Sequence, residues 1–271
     1  MKKTVITLLL LAGCFFWSCQ HHYDHSIVVM TYNIKNDYDP NPPNNWKSRK
    51  DQMTHQIRSI GPDIWGVQEA LYNQLEDLKS ALPEYDFVGL SRDAKPDSGE
   101  FCAIFYKTSR WKVLESRTSW FGGMQGKVNL DAAYPRIYTW GQFVDKHGNE
   151  ILIVNTHLDH IGQQSRIQAA QELNTLAKIS KKSILMGDLN CLEQEETIEI
   201  LNQNWKDSWT KNSKGEQGTF NGFNQDYDNQ RRIDYIFYRG FKLENQRHDN
   251  TRLSNGNFIS DHFPVIATFK Y

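Results

Sequence analysis

Apolar and polar positions alternate along the chain in a way that predicts short strands separated by a few amphipathic helices. Ile27–Ile34 ("IVVMTYNI") is a continuous apolar strand. Lys47–Ile60 carries Met53, Ile57 and Ile60 at helical spacing and ends at Gly61-Pro62, a residue pair that stops helices. Asp63–Glu69 reads as a short buried strand. Leu71, Leu75, Leu78 and Leu82 mark a second helix closed by Pro83. Strands follow at Phe87–Leu90, Phe101–Tyr106, Lys112–Ser119 and Ile137–Val144, and the turn "DKHGNE" joins the last of these to Ile151–His157 as a hairpin. A third helix spans Gln164 to Ile179, with Ile167, Ala170, Leu173 and either Leu176 or Ala177 facing inward. Strands at Ser183–Gly187, Ile233–Tyr238 and Pro264–Phe269 complete the set. No internal repeat or linker interrupts it. The pattern predicts a four-layer α/β sandwich: two mostly antiparallel sheets packed face to face, with helices outside.

The start of the chain has a different character. Lys2 and Lys3 precede an apolar run from Thr4 to Trp17, too short to span a bilayer and of the length of a signal segment. Cys14 follows Leu-Ala-Gly and Cys19 follows Phe-Trp-Ser. Small residues before a cysteine resemble a bacterial lipoprotein signal, and Cys19 leaves the more usual leader length. The expected organisation is a signal peptide at 1–18, a His-containing tether at 19–26 and one catalytic domain at 27–271. The expected setting is the bacterial periplasm or outer membrane, with a monomer held through a lipid anchor.

Composition narrows the classes further. An aromatic content of 13% and a net charge of -1 exclude a disordered chain. Mean hydropathy of -0.65, with no second long apolar run, excludes a polytopic membrane protein. The chain lacks the basic excess typical of a strong nonspecific grip on duplex nucleic acid. Cys102, in "FCAIFY", reads as a buried small hydrophobe, whereas Cys191, after "GDLN", is expected to be partly exposed. Neither suggests a disulfide or a zinc site.

The apolar runs repeatedly end in acids, amides or histidines: Asn33, Glu69, His157, then Asp188 with Asn190. Asp234 and the Asp261-His262 pair stand just ahead of apolar runs. Each alone could be a turn residue; together they suggest strand ends converging on one cleft. Glu69 and Asp261 are hard oxygen ligands suited to Mg²⁺, and Asn33 would add a neutral oxygen or orient a ligand. Asp188 and Asn190 offer a base and a donor two residues apart. His262 would stabilise a phosphoryl oxygen while Asp234 holds its other nitrogen. No Gly-rich phosphate loop or G-x-S-x-G elbow occurs, so activated water is favoured over a protein nucleophile.

The ordered motifs "TYNI", "GVQEA", "NTHLDH", "GDLN", "RIDYIF" and "SDHFPV" resemble the endonuclease/exonuclease/phosphatase superfamily from about Val28 to Phe269. "GEFCAIFYK", and Lys35 where apurinic endonucleases tend to carry an acid, look closer to the deadenylase-like and secreted bacterial branches. The departure at Lys35 leaves Glu69 as the main metal ligand. The resemblance implies Mg²⁺ or Mn²⁺ on Glu69, with Asn33 and Asp261 in or near its shell. It implies Asp188 acting on the attacking water, Asn190 on the phosphoryl group, and Asp234 with His262 stabilising the phosphorane. His157 would contact the phosphate or help the leaving group. Arg136, Asp159 and Phe223 are candidate substrate contacts, with His160, Phe220 and Tyr227 nearby in sequence. The implied reaction is metal-dependent hydrolysis of a phosphoester in a sugar phosphate, nucleotide, phospholipid headgroup, RNA or DNA. The alternatives are an exported nuclease or 3'-5' exoribonuclease, and a non-catalytic ligand-binding lipoprotein.

Overall fold

The computed structural model describes residues 26–271; the leader, Cys14, Cys19 and all but the last residue of the tether lie outside the described residues. One six-stranded sheet holds β1 (Ser26–Asn33), β2 (Ile64–Gln68), β3 (Tyr85–Val88), β4 (Ile104–Lys107), β11 (Lys242–His248) and β12 (Val265–Lys270), in the order β11-β12-β1-β2-β4-β3. The other holds β5 (Trp111–Trp120), β6 (Ile137–Asp145), β7 (Glu150–His157), β8 (Ser183–Asp188), β9 (Lys206–Asp207) and β10 (Asp234–Arg239), in the order β5-β6-β7-β8-β10-β9. Each sheet has one parallel pair near its centre, β1 with β2 and β7 with β8. Such pairs need a crossover, supplied by α1 (Trp46–Ile60) and α3 (Gln163–Leu176). The predicted sandwich is thus the observed one, and the two sheets share a layout that no sequence repeat announces.

Three apolar layers hold it together. Trp46, Met53 and Ile57 of α1 and Leu75 and Leu78 of α2 (Tyr72–Ala81) pack on Met30, Tyr32, Trp65 and Val67. Asn45 caps α1 by accepting from Ser48 N, and Gly61 ends it in a left-handed conformation, as its Gly-Pro sequence predicts. Ala169, Ala170 and Leu173 of α3 and Ile198 and Leu201 of α4 (Glu196–Asn202) cover Leu152, Val154, Leu185, Tyr235 and Phe237. Ile167 is only half-buried, contrary to expectation; Ala170 faces inward as expected, joined by Ala169. Between the sheets lie Ile27, Val29, Ile64, Ile151, Ile153, Ile184, Met186, Ile236 and Ala267. No described helix is long and apolar enough to cross a membrane. The sequence pattern missed α4, the two-residue β9 and β11, whose "KLENQRH" is an edge strand with little apolar alternation. Phe101 makes only isolated bridges, so β4 begins later than predicted.

The inter-sheet face changes character along its strands. Ile27 and Val29 give way to Thr31 and Asn33, Ile64 to Gln68, Ile151 and Ile153 to Asn155 and His157, and Ile184 and Met186 to Asp188. Alternation puts all of these on one face, so one rim of the sandwich is polar. Just beneath that rim Gln68 Nε2 donates to Thr31 Oγ1 at 2.9 Å and to Asn155 Oδ1 at 2.6 Å. Asn155 Nδ2 donates to the carbonyls of Val67 and Ala103 in the other sheet. Gly66 makes room, since a Cβ there would stand 2.6 Å from the Asn155 amide. Gly187, between Thr156 and Tyr235 in the sheet, has φ 151° and would place a Cβ 2.0 Å from the Thr156 carbonyl oxygen. Gly187→Ala is therefore expected to destabilise the protein by roughly 3 kcal/mol, the upper end for overpacking. A lowered denaturant midpoint at unchanged slope would show it.

Candidate active site at the polar rim

Strand register assembles half of the site. His157, Asp188 and Asp234 stand opposite one another across β7, β8 and β10. Asn33 ends β1 beside Gln68 of β2, and Glu69 follows directly in a left-handed turn at φ 60°. Asp261 and His262 arrive just before β12. Their segment is fastened to β1 by Ser260 Oγ, which donates to the Asn33 carbonyl at 2.7 Å, and by Arg49. Arg49 is fully buried and donates to the carbonyls of Ile34, Lys35, Asn44 and Ile259. All the acid, amide and imidazole residues expected at the site thus meet around one pocket of about 510 Å³ or directly behind its wall.

On the first sheet's side, Asn33 Nδ2 donates to Glu69 Oε1 at 3.1 Å and to Asp188 Oδ2 at 2.9 Å, while its oxygen accepts from Lys35 N. Asn33 therefore orients two carboxylates. Its oxygen accepts only the one hydrogen bond from Lys35 N and keeps a second lone pair, so the expected metal contact stands beside the orienting role. Asn36 also donates to Glu69. Burial alone would push the Glu69 carboxyl up, but the Lys35 and His262 charges and these hydrogen bonds outweigh it and hold the group below its ordinary value. Burial pushes Asp261 up, with the Glu69 charge adding to the effect and His262 opposing it.

On the second side, burial and then the Asp234 charge push Asp188 up to about 7. His262 Nδ1 donates to Asp234 Oδ2 at 2.8 Å, the carboxylate–imidazole pair expected. Burial works against a charged ring, but Asp234, Asp188 and Asp261 together raise the His262 pKa to about 10, so it is an imidazolium at neutral pH. His157 is the opposite case. Burial, reinforced by Arg136 and Arg92, drives its pKa well down. Its 3.4 Å approach to Asp188 Oδ2 is consequently not an ion pair. The neutral ring accepts at Nε2 from Asn190 Nδ2 at 3.0 Å. Asn190 also donates to the Leu158 carbonyl, so both its amide protons are engaged and a phosphoryl contact would require one of them to exchange partners.

The remaining walls refine the substrate candidates. Arg136 lines the pocket as expected, donating from Nε to Asp159 Oδ2 at 3.0 Å and meeting His160 Nδ1 at 3.1 Å. Asp159 is buried and also accepts from the backbone N–H groups of Ile161 and Gly162, so it positions Arg136 from behind the pocket wall. Phe223 is likewise corrected: it lies over Arg49, away from the pocket, and Phe220 lines the pocket in its place, edge-on to His262. Cys191 is buried, held under its loop beside α4. Arg92, Glu100, Tyr134 and Arg231 also line the pocket and escaped sequence reasoning. Arg49 left a signal: it falls on the helical stripe of Trp46, Met53 and Ile57, where a solvated charge would not belong.

Two places suit a cation. Asp188, Asp234 and His262 bring ligand atoms within 4.8 Å of one another. In this arrangement His262 Nδ1 is engaged by Asp234 Oδ2 at 2.8 Å and its Nε2 stands 3.7 Å from Asp188 Oδ2. Glu69 and Asp261 fit a hard divalent ion better. Lys35 Nζ stands between them, 3.4 Å from Glu69 Oε2 and 3.5 Å from Asp261 Oδ2, which marks the spot as one built for positive charge.

Known proteins share this fold. An endonuclease/exonuclease/phosphatase from Bacteroides vulgatus is 31% identical with a TM-score of 0.84, over 90% of this chain and 98% of that one. The mannosyl-6-phosphatase of Bacteroides thetaiotaomicron is 29% identical with a TM-score of 0.78, over 90% and 100% respectively. A probable CCR4-Not complex 3'-5'-exoribonuclease subunit of Vairimorpha ceranae is 26% identical over 89% of this chain. The chain spans 63% of that protein, and less than two thirds of each of the curated relatives it matches. The model of the Endonuclease/Exonuclease/phosphatase family matches residues 30–262, from the first strand to the histidine that pairs with Asp234. By that match the chain belongs to the endonuclease/exonuclease/phosphatase family.

Proposed function

We propose that the chain is a divalent-metal-dependent phosphoester hydrolase whose substrate is a compact sugar phosphate. The observation that carries the reading is the meeting of Asp188 and the His262–Asp234 pair with the Glu69–Asp261 carboxylates in one pocket. Asp188 takes the proton of the attacking water. His262 offers its Nε2–H to a phosphoryl oxygen, held in orientation by Asp234 at Nδ1. Glu69 and Asp261 would hold Mg²⁺ or Mn²⁺, which when bound stabilises charge on the phosphoryl oxygens. Arg136, fixed by Asp159, presents a guanidinium to the same anion.

The walls favour a small polyhydroxylated substrate over a nucleic acid. Arg92 pairs with Glu100 at 2.7 Å and Arg136 with Asp159, so these walls are dense in hydrogen-bonding groups yet balanced in charge, unlike a basic groove. The relatedness to a mannosyl-6-phosphatase supports the same choice. The leader sequence supports export and anchoring through Cys19. Activity should be measured on sugar 6-phosphates, p-nitrophenyl phosphate, bis-p-nitrophenyl phosphate and poly(A), with Mg²⁺, Mn²⁺ or EDTA. Sugar phosphates should have the highest kcat/KM, and EDTA should abolish turnover. A preference for poly(A) would establish the exoribonuclease reading instead, and turnover undiminished in EDTA would remove the metal from the reaction.

A further inference from the structure

We infer that Lys35 is the internal counter-ion of the metal site: its ammonium holds Glu69 and Asp261 together before a divalent ion arrives and gives way to that ion. Metal loading is then the exchange of one cation for another. The inference rests on the reading of Glu69 and Asp261 as metal ligands.

Glu69 and Asp261 come from distant parts of the chain and are mostly buried, with side-chain exposures of 14% and 8%. Facing one another with nothing between, two carboxylates would repel. Among the described residues, Lys35 alone makes an ion pair with either of them, and it makes one with both. Its aim is set by the backbone. Lys35 sits in the left-handed region at φ 58°, a conformation that disfavours a long side chain. Three hydrogen bonds hold it there: its N–H donates to Asn33 Oδ1, and its carbonyl accepts from Arg49 at 3.1 Å and Gln74 at 2.9 Å. Backbone strain so firmly held is found where a side chain must be delivered to one place.

The contact is built to be released. At 3.4 and 3.5 Å both ion pairs are longer than a charge-assisted hydrogen bond of about 2.7–2.9 Å. A single ammonium also sets one positive charge between two carboxylates, where a divalent ion would set two. An ion bound to both carboxylates at about 2.0–2.1 Å leaves no room for the ammonium between them. The lysine stem lines the pocket and is one-third exposed, so Nζ has open space to move into.

The test uses the full mature chain carrying Lys35→Met, with Lys35→Arg as the charge-retaining control. Mn²⁺ and Mg²⁺ binding are measured by titration calorimetry, with free Mn²⁺ followed by electron paramagnetic resonance. Melting temperature is recorded with EDTA and with metal. Lys35→Met should bind Mn²⁺ at least about tenfold more tightly than wild type, melt lower in EDTA, and gain more from metal; Lys35→Arg should track the wild type. A merely structural lysine would not improve metal affinity when removed. If Lys35→Met folds only with Mn²⁺ present, the counter-ion role is supported outright. Wild-type Mn²⁺ binding with unchanged or weaker binding by Lys35→Met would overturn the inference and leave the hydrolase reading standing. Failure of both proteins to bind metal would instead overturn the metal site itself.

Discussion

Replacing Asp188 with Asn should lower turnover on the order of 10⁴-fold, the upper end for loss of a general base, without weakening the fold. The side chain is buried, accepts from Asn33 Nδ2 and Asn190 N, and faces Asp234 across the sheet. Burial and that neighbour lift its pKa from 3.8 to about 7. The folded value lies above the unfolded one, so the fold favours the protonated acid. That contribution is fully present below pH ~4 and is lost as pH rises through ~7. Asn has no proton to lose and keeps the shape. The variant should therefore melt with the wild type at about pH 4 and at or above it at pH 8, where kcat collapses. A residual kcat within tenfold of wild type, or a lower melting temperature at pH 8, would contradict the assignment.

His262→Ala should fail in the opposite way, losing about 10³-fold in kcat together with much of its stability. The imidazolium is the cation for two buried carboxylates, at 2.8 Å from Asp234 and 3.7 Å from Asp188. The other oxygen of that carboxylate, Asp234 Oδ1, is buried without a hydrogen-bond partner. Breaking a buried pair by deleting one member costs about 3–5 kcal/mol, because the remaining charge is left alone in a poorly solvated place. Adding Asp234→Asn removes that charge, so the double variant should regain stability but not activity. Thermal melts and kcat on one substrate separate the two effects. Restored turnover in the double variant would show that His262 acts only as a structural cation.

These residues were legible because strand alternation is a strict code. Thr31 and Asn33 continue the face of Ile27 and Val29, and Asp188 continues that of Ile184 and Met186, so polar residues in apolar phase must meet the opposing sheet. The same logic yielded both layers of sheet and the crossover helices. What stayed hidden depends on loops or on long-range pairing. Arg92 and Glu100 are brought to the pocket by a connection with no period. Phe220 and Phe223 lie in one polar stretch, and only the fold decides which faces His262. Asn33 reads as a ligand or an orienting amide, and only its hydrogen bonds show that it orients two carboxylates. Lys35 looked like a missing acid, and only the geometry shows it supplying the opposite charge in the same place.

The buried Gln68–Asn155 contact acquires a further meaning from where the reacting groups sit. Glu69, Asp261 and His262 are carried by one sheet, whereas Asp188, Asn190 and His157 are carried by the other. The proposed chemistry would thus be performed across a seam, with the amide bridge as the dowel that keeps the two halves in alignment. Slippage of a fraction of an ångström along that seam would silence the enzyme while each half kept its own hydrogen-bond ladder, so catalysis is a finer gauge of the joint than any spectrum of the backbone.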